Sequence, residues 1–128
     1  MAMRYFLLLS ALIGTVASAD LRAQGPEGST MLRACGAAVK QVDGVRISEE
    51  EAVQSLYCVG YVAGFLDSMS ITVSVTGGRQ SVCLPQRGIT NDQAIRIFVK
   101  YLRENPQTLH ESGRMSLYIS LLSAFPCK

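Results

Sequence analysis

From Ser48 onward, apolar residues recur every three or four positions, at Ala52, Leu56, Val59, Ala63 and Leu66. Val53, Tyr57, Gly60 and Gly64 form a second stripe beside them. Two adjacent stripes of this kind predict a helix with a wide buried face. Ser48 and Glu51 have the S-x-x-E spacing of a capping box. Glu49, Glu50 and Glu51 also place negative charge at the positive end of the helix dipole. Residues 71–75 alternate branched and polar side chains, a pattern that also describes a short strand. No breaker stands before Gly77-Gly78, so the helix is expected to run to about Val75.

The same period marks three further helices. Ser29 or Thr30 can cap a first one that runs through Lys40, with Leu32, Cys35, Gly36 and Val39 inward and Asp43-Gly44 as the turn after it. Thr90 starts a third, with Gln93 completing a second capping-box pattern. Ile95, Phe98, Val99 and Leu102 line its core face. It stops at Asn105-Pro106, because the residue before proline disfavours the helical region. Pro106 suits the first turn of a fourth helix. That helix is expected to reach about Phe125, with Leu117, Tyr118, Leu121, Leu122 and Phe125 inward. The fold class is therefore all-α, a small bundle of about four helices with antiparallel neighbours.

Residues 1–19 do not belong to this bundle. Arg4, the apolar run from Tyr5 to Val16, and Ala17-Ser18-Ala19 have the order of a secretory signal peptide cleaved after Ala19. The run is shorter than the roughly 20 residues that span a bilayer. Residues 20–28 read as a flexible leader and 29–128 as one helical domain. Loss of Arg4 leaves 11 basic and 10 acidic residues. Without a basic stripe interleaved with aromatics, nucleic acid is not an expected partner. No later apolar run is expected to span a membrane, so the mature chain is expected to leave it.

Export gives the four cysteines a meaning. Cys35, Cys58, Cys83 and Cys127 form an even set in a short exported chain, which suggests two disulfides. Three connectivities are open to four cysteines. Zinc is disfavoured, because no close pair such as C-x-x-C occurs. The helix layout selects among the connectivities. A hairpin of the first two helices sets Cys35 against Cys58, and Cys83, ahead of the third helix, can meet Cys127 after the fourth.

Gly60 and Gly64 cost the second helix about 1 kcal/mol each relative to alanine. They are expected to be packing devices: Cys35-Gly36 against Cys58 and Gly60, with Gly64 admitting Phe98 or Tyr118. On that reading Gly60→Leu overpacks a close helix contact.

Catalytic chemistry finds little support. The single histidine, His110, has no free thiol to activate if the cysteines pair, and Ser112 two residues on would point elsewhere on a helix. Asp67 has no second carboxylate at a spacing suited to acid–base work. Gly77-Gly78 lacks the downstream Lys-Ser/Thr of a phosphate loop. The expectation is a protein that is not an enzyme and uses no cofactor or metal.

Several short patterns then come together. C-x-G-Y-x-x-G at 58–64 followed by Asp67, C-L-P at 83–85, Y-L-x-x-N-P at 101–106, His110, and A-F-P-C at 124–127 resemble the Rap/Tai family, immunity proteins of type VI secretion. The resemblance spans about Leu32 to Cys127. It implies a periplasmic, disulfide-stabilised helical domain, often dimeric, that blocks the active-site cleft of a peptidoglycan amidase. The matching residues have structural roles in this reading: the cysteines, Gly60, Gly64, Pro85, Pro106 and Phe125.

The loop 76–88 is the expected contact surface. Cys83 tethers it, Pro85 stiffens it, and its glycines permit close backbone approach. Arg79, Gln80 and Arg87 are the candidate partner-binding residues. The competing expectation is a small periplasmic helical chaperone, or a binding protein without a toxin partner.

Overall fold

In the computed structural model the described residues are 25–78 and 80–128. The expected signal peptide with its expected cleavage site, the first five residues of the expected leader and the candidate Arg79 lie outside them. The described elements are α1 (Gly28–Val42), α2 (Glu49–Val75), α3 (Asn91–Glu104), a 3-10 turn (Pro106–Thr108) and α4 (Gly113–Ala124). The all-α bundle is as expected, and residues 71–75 are the last turns of α2.

Local signals hold where they were strongest. The α2 capping box is complete: Glu51 N–H donates to Ser48 Oγ at 3.2 Å, and Ser48 N–H donates to Glu51 Oε2 at 3.0 Å. Thr90 Oγ1 accepts from Gln93 N–H at 3.1 Å at the start of α3. Ile95, Phe98, Val99 and Leu102 are all buried, as their period requires.

Two helix starts differ from the sequence reading, for one shared reason. Neither Ser29 nor Thr30 caps α1. The helix begins at Gly28, and its open N–H groups find carbonyls from elsewhere in the chain. Gly28 N–H donates to Glu111 O at 2.9 Å, and Ser29 N–H donates to Leu109 O at 2.8 Å. Those carbonyls are therefore unavailable to a helix running on from Pro106. Gly113 N–H in turn donates to Pro26 O at 2.8 Å, so α4 starts there. Pro106 instead opens the 3-10 turn. The same bonds hold the end of the expected flexible leader, Pro26 to Gly28, against residues 109–113.

α1 packs on α2, α3 and α4, while α3 packs on both α2 and α4. Phe98, Met31, Leu102, Leu117, Leu121 and Val62 are fully buried between them. Two ion pairs fasten the α1 end to its neighbours. Lys40 Nζ lies 2.8 Å from Glu51 Oε1 on α2, and Arg96 on α3 lies 2.7 Å from Asp43 Oδ1.

Both disulfides have the expected partners, Cys35–Cys58 and Cys83–Cys127. The Cα atoms of Cys35 and Cys58 are 5.1 Å apart. The small residues that permit this approach are not the glycines. Ala34 and Ala38 on α1 and Ser55 on α2 are buried there, and Ser55 Oγ donates to Gln41 Oε1 at 2.6 Å.

The buried face of α2 is thus another one. Ser55, Cys58 and Val62 point inward, with Tyr61, Phe65, Leu66 and Met69 packed at the core edge. Val53, Leu56, Tyr57 and Val59 are exposed. A Cβ at Gly36, Gly60 or Gly64 would meet nothing within 4 Å, so none of the three is a packing device. The reason is the helical period. Two residues after Cys58 means a rotation of about 200°, which sets Gly60 on the opposite face. Gly60→Leu therefore overpacks nothing inside this fold.

The expectation that no later segment matches a membrane span in length also needs correction. α2 has 27 residues and a mean hydropathy of 1.4 over its most apolar stretch, enough to cross a bilayer by length and composition. One side of it is packed lengthwise on α1 and bonded there through Cys58.

Candidate functional site

The loop 76–88 begins where α2 ends. Thr76 caps α2 through its N–H to Thr72 O. Gly77 and Gly78 follow at φ 71° and 89°, values that L side chains rarely adopt. The chain then reverses onto the far end of α4. Val82 is buried and pairs with Pro126 in an isolated bridge, and Cys83 N–H donates to Phe125 O at 2.9 Å. The Cys83–Cys127 disulfide fastens the same point covalently. Gly88 N–H then donates to Pro85 O at 2.7 Å, closing a tight turn, with Gly88 itself at φ 69°.

Only the middle of the loop is therefore fixed to the core. Gln80, Ser81, Pro85, Gln86 and Arg87 are exposed to either side of it. Gln80, Ser81 and Val82 form one wall of a shallow cleft of about 270 Å³, with Met69, Thr72 and Tyr118 opposite. The candidates Gln80 and Arg87 both present side chains to solvent. Arg87 is not among the residues lining that cleft, whereas Gln80 is. Pro85 supplies the carbonyl that closes this turn.

His110 is exposed near the 3-10 turn. No cysteine is free, so His110 faces no thiol. Among the described residues, the arrangement offers an exposed loop tethered at Cys83.

The family model for Rap1a immunity proteins matches residues 27–127. The chain belongs to that family. The match covers all four helices and both disulfides. It supports a role as an immunity protein against a type VI secretion effector. Proteins of this family are typically exported and are not normally enzymes. No curated protein and no solved structure matches the chain.

One surface went unnoticed in the sequence, the outer face of α2. The signal was present. Once Cys58 is taken to face Cys35, its helical neighbours at 55, 62 and 65 must face inward too. Positions 53, 56, 57, 60, 64 and 71 then fall on the outside.

Proposed function

We propose that this protein acts in the periplasm and neutralises a peptidoglycan amidase by occluding its active-site cleft. The occluding element is the loop 76–88 with the adjoining ends of α2 and α4. The observation that carries this reading is the double attachment at Cys83, through the disulfide and the bond to Phe125 O. A loop held in this way loses little conformational entropy on docking, which favours tight binding by a small surface. Gln80 and Arg87 present polar groups to the partner, and Arg79, between Gly78 and Gln80 in the sequence, belongs to the same proposal. The resemblance further supports a homodimer as the working form.

The test is inhibition of a peptidoglycan amidase effector from the same genome. The wild type should inhibit it in a defined ratio. A Gln80→Trp/Arg87→Glu double variant should keep its helical circular dichroism and lose most of the inhibition. Full inhibition by that folded variant would exclude both side chains as important contacts. Failure of the wild type to bind any amidase of its own genome would remove the target.

The exposed apolar face of α2 favours a second reading, a helical chaperone for unfolded clients. A chaperone would suppress aggregation of several unrelated proteins at low pH. An immunity protein would bind one enzyme at neutral pH.

A further inference from the structure

The cleft beside the loop 76–88 takes its walls from separate parts of the fold. Ser68, Met69, Thr72 and Val73 come from successive turns of α2, Gln80 to Val82 from the loop, and Tyr118 from α4. The loop wall is held in place, because Val82 is buried, pairs with Pro126 and stands next to the Cys83–Cys127 disulfide. Met69, Val73 and Tyr118 are only half-buried, so each leaves apolar surface in water. The cleft holds about 270 Å³. Sites that take whole small molecules hold roughly 300–1,000 Å³. The size suits one large side chain of a protein partner.

We propose that this cleft is the specificity pocket for the effector, and that it receives a tryptophan or tyrosine side chain projecting from the rim of the amidase's own cleft. The inference rests on the loop 76–88 being the docking surface, and it names the chemistry which that surface recognises.

Two hydroxyls on α2 decide the chemistry. Ser68 Oγ donates to Phe65 O at 2.7 Å, and Thr72 Oγ1 donates to Ser68 O at 2.8 Å. A hydroxyl has one proton to give. With that proton turned back into the helix, each oxygen can only accept from an incoming group. On the facing wall, the side chains of Gln80 and Ser81 can donate or accept.

Side chains of different classes fare differently against these walls. Among the described residues that line the cleft, none is charged. A carboxylate would bring further acceptors to the hydroxyls of α2 and find no cation. A lysine or arginine would leave water without a carboxylate to pair with. A leucine or phenylalanine would cover the hydroxyl oxygens and give them no partner. A small polar side chain would leave Met69, Val73 and Tyr118 wet.

Tryptophan and tyrosine answer both demands, since each joins an apolar ring to one N–H or O–H donor. The ring covers Met69 and Tyr118, where sulfur–aromatic and ring–ring contacts add to the buried area. The donor meets Ser68 or Thr72. Such rings are among the side chains that carry most of the binding energy at protein interfaces. Because the walls are already set, filling the cleft orders little that was free.

The experiment uses the exported protein and the amidase effector that it inhibits, with affinity measured directly. Thr72→Phe and, separately, Ser68→Trp fill the cleft from exposed positions on α2. Each should keep the circular dichroism of the wild type and raise the dissociation constant at least about thirtyfold, the loss of one dominant contact. Val75 is 80% exposed and lies one turn beyond Thr72, outside the cleft. A photoreactive benzoylphenylalanine in its place should crosslink to a segment of the amidase that contains a tryptophan or tyrosine. Alanine at that aromatic position should weaken binding by a similar factor. Combined with Thr72→Phe, it should add little further loss, because both changes remove the same contact.

Wild-type affinity in both filled variants overturns the proposal. If Arg87→Glu, off the cleft, weakens binding in the same series, the loop remains the docking surface and only the pocket is lost. A crosslink that is absent, or that maps to a segment without tryptophan or tyrosine, also overturns it. So do fully additive losses. A wild type that binds no amidase removes the proposed function and this pocket's ligand together.

Discussion

Cys58 and Gly60 are two residues apart and on opposite faces of α2: Cys58 is fully buried in a disulfide to α1, and a Cβ at Gly60 would meet open space. That rotation decides which half of an apolar helix enters the core. Val62 and Leu56 report it directly. Val62→Gln buries an amide without a partner and should destabilise the fold by about 2–4 kcal/mol. Leu56→Gln, in dilute solution, should stay within about 0.5 kcal/mol of the wild type. Urea unfolding of the two variants checks the assignment, and equal losses would mean that the helix is rotated.

Glycine has opposite meanings at Gly36 and Gly113. Gly36 lies mid-helix in α1 with open space at its Cβ position, so Gly36→Ala should stabilise by about 0.5–1 kcal/mol. At Gly113 a Cβ would stand 2.7 Å from Met31 Cγ and 2.8 Å from Pro26 O. Gly113→Ala should therefore cost about 1–3 kcal/mol through overpacking, since the Pro26 backbone is itself bonded to Gly113. Thermal melts of the pair should move in opposite directions.

The two disulfides differ in access. Cys35 and Cys58 are fully buried, whereas Cys83 and Cys127 are exposed. A mild thiol reductant should open Cys83–Cys127 first, as shown by alkylation and peptide mapping. Helicity should persist, while the loop 76–88 loses its covalent anchor and amidase inhibition weakens. Each bridge should contribute about 3–4 kcal/mol to stability by the chain-entropy model. Prior reduction of Cys35–Cys58 would contradict the burial argument.

Acid should loosen the corner where α1 meets α2 and α3. The hydrogen bond from Lys40, and then that from Ser48 N–H, holds the Glu51 carboxyl below its ordinary pKa. The hydrogen bond from Arg96 lowers Asp43 likewise. A carboxylate with a lowered folded pKa stabilises the fold above its unfolded value, and that contribution disappears as pH falls through the folded one. The loss should begin near the ordinary carboxylate values of about 4 and be complete below the lowered ones. Asp43 is exposed and Glu51 only half-buried, so solvent screens both pairs and the effect is small. Glu51→Gln should flatten the fall in melting temperature across that window, and an unchanged slope would remove Glu51 from the account.

The sequence alone determined what depends on neighbours three or four residues away. The capping box at Ser48 and Glu51 and the inward face of α3 both belong to this class. So does the loop 76–88 as a glycine-punctuated connection, which made the candidate surface legible. Tertiary structure decided what depends on remote partners. The start of α1 is set by carbonyls of Leu109 and Glu111, which no local rule can assign to Gly28 and Ser29. The start of α4 moves to Gly113 because those same carbonyls are already taken. For α2 the periodicity is degenerate, since apolar residues occupy both of its faces. Burial rewards either face equally until Cys35, on another helix, fixes the one that turns inward.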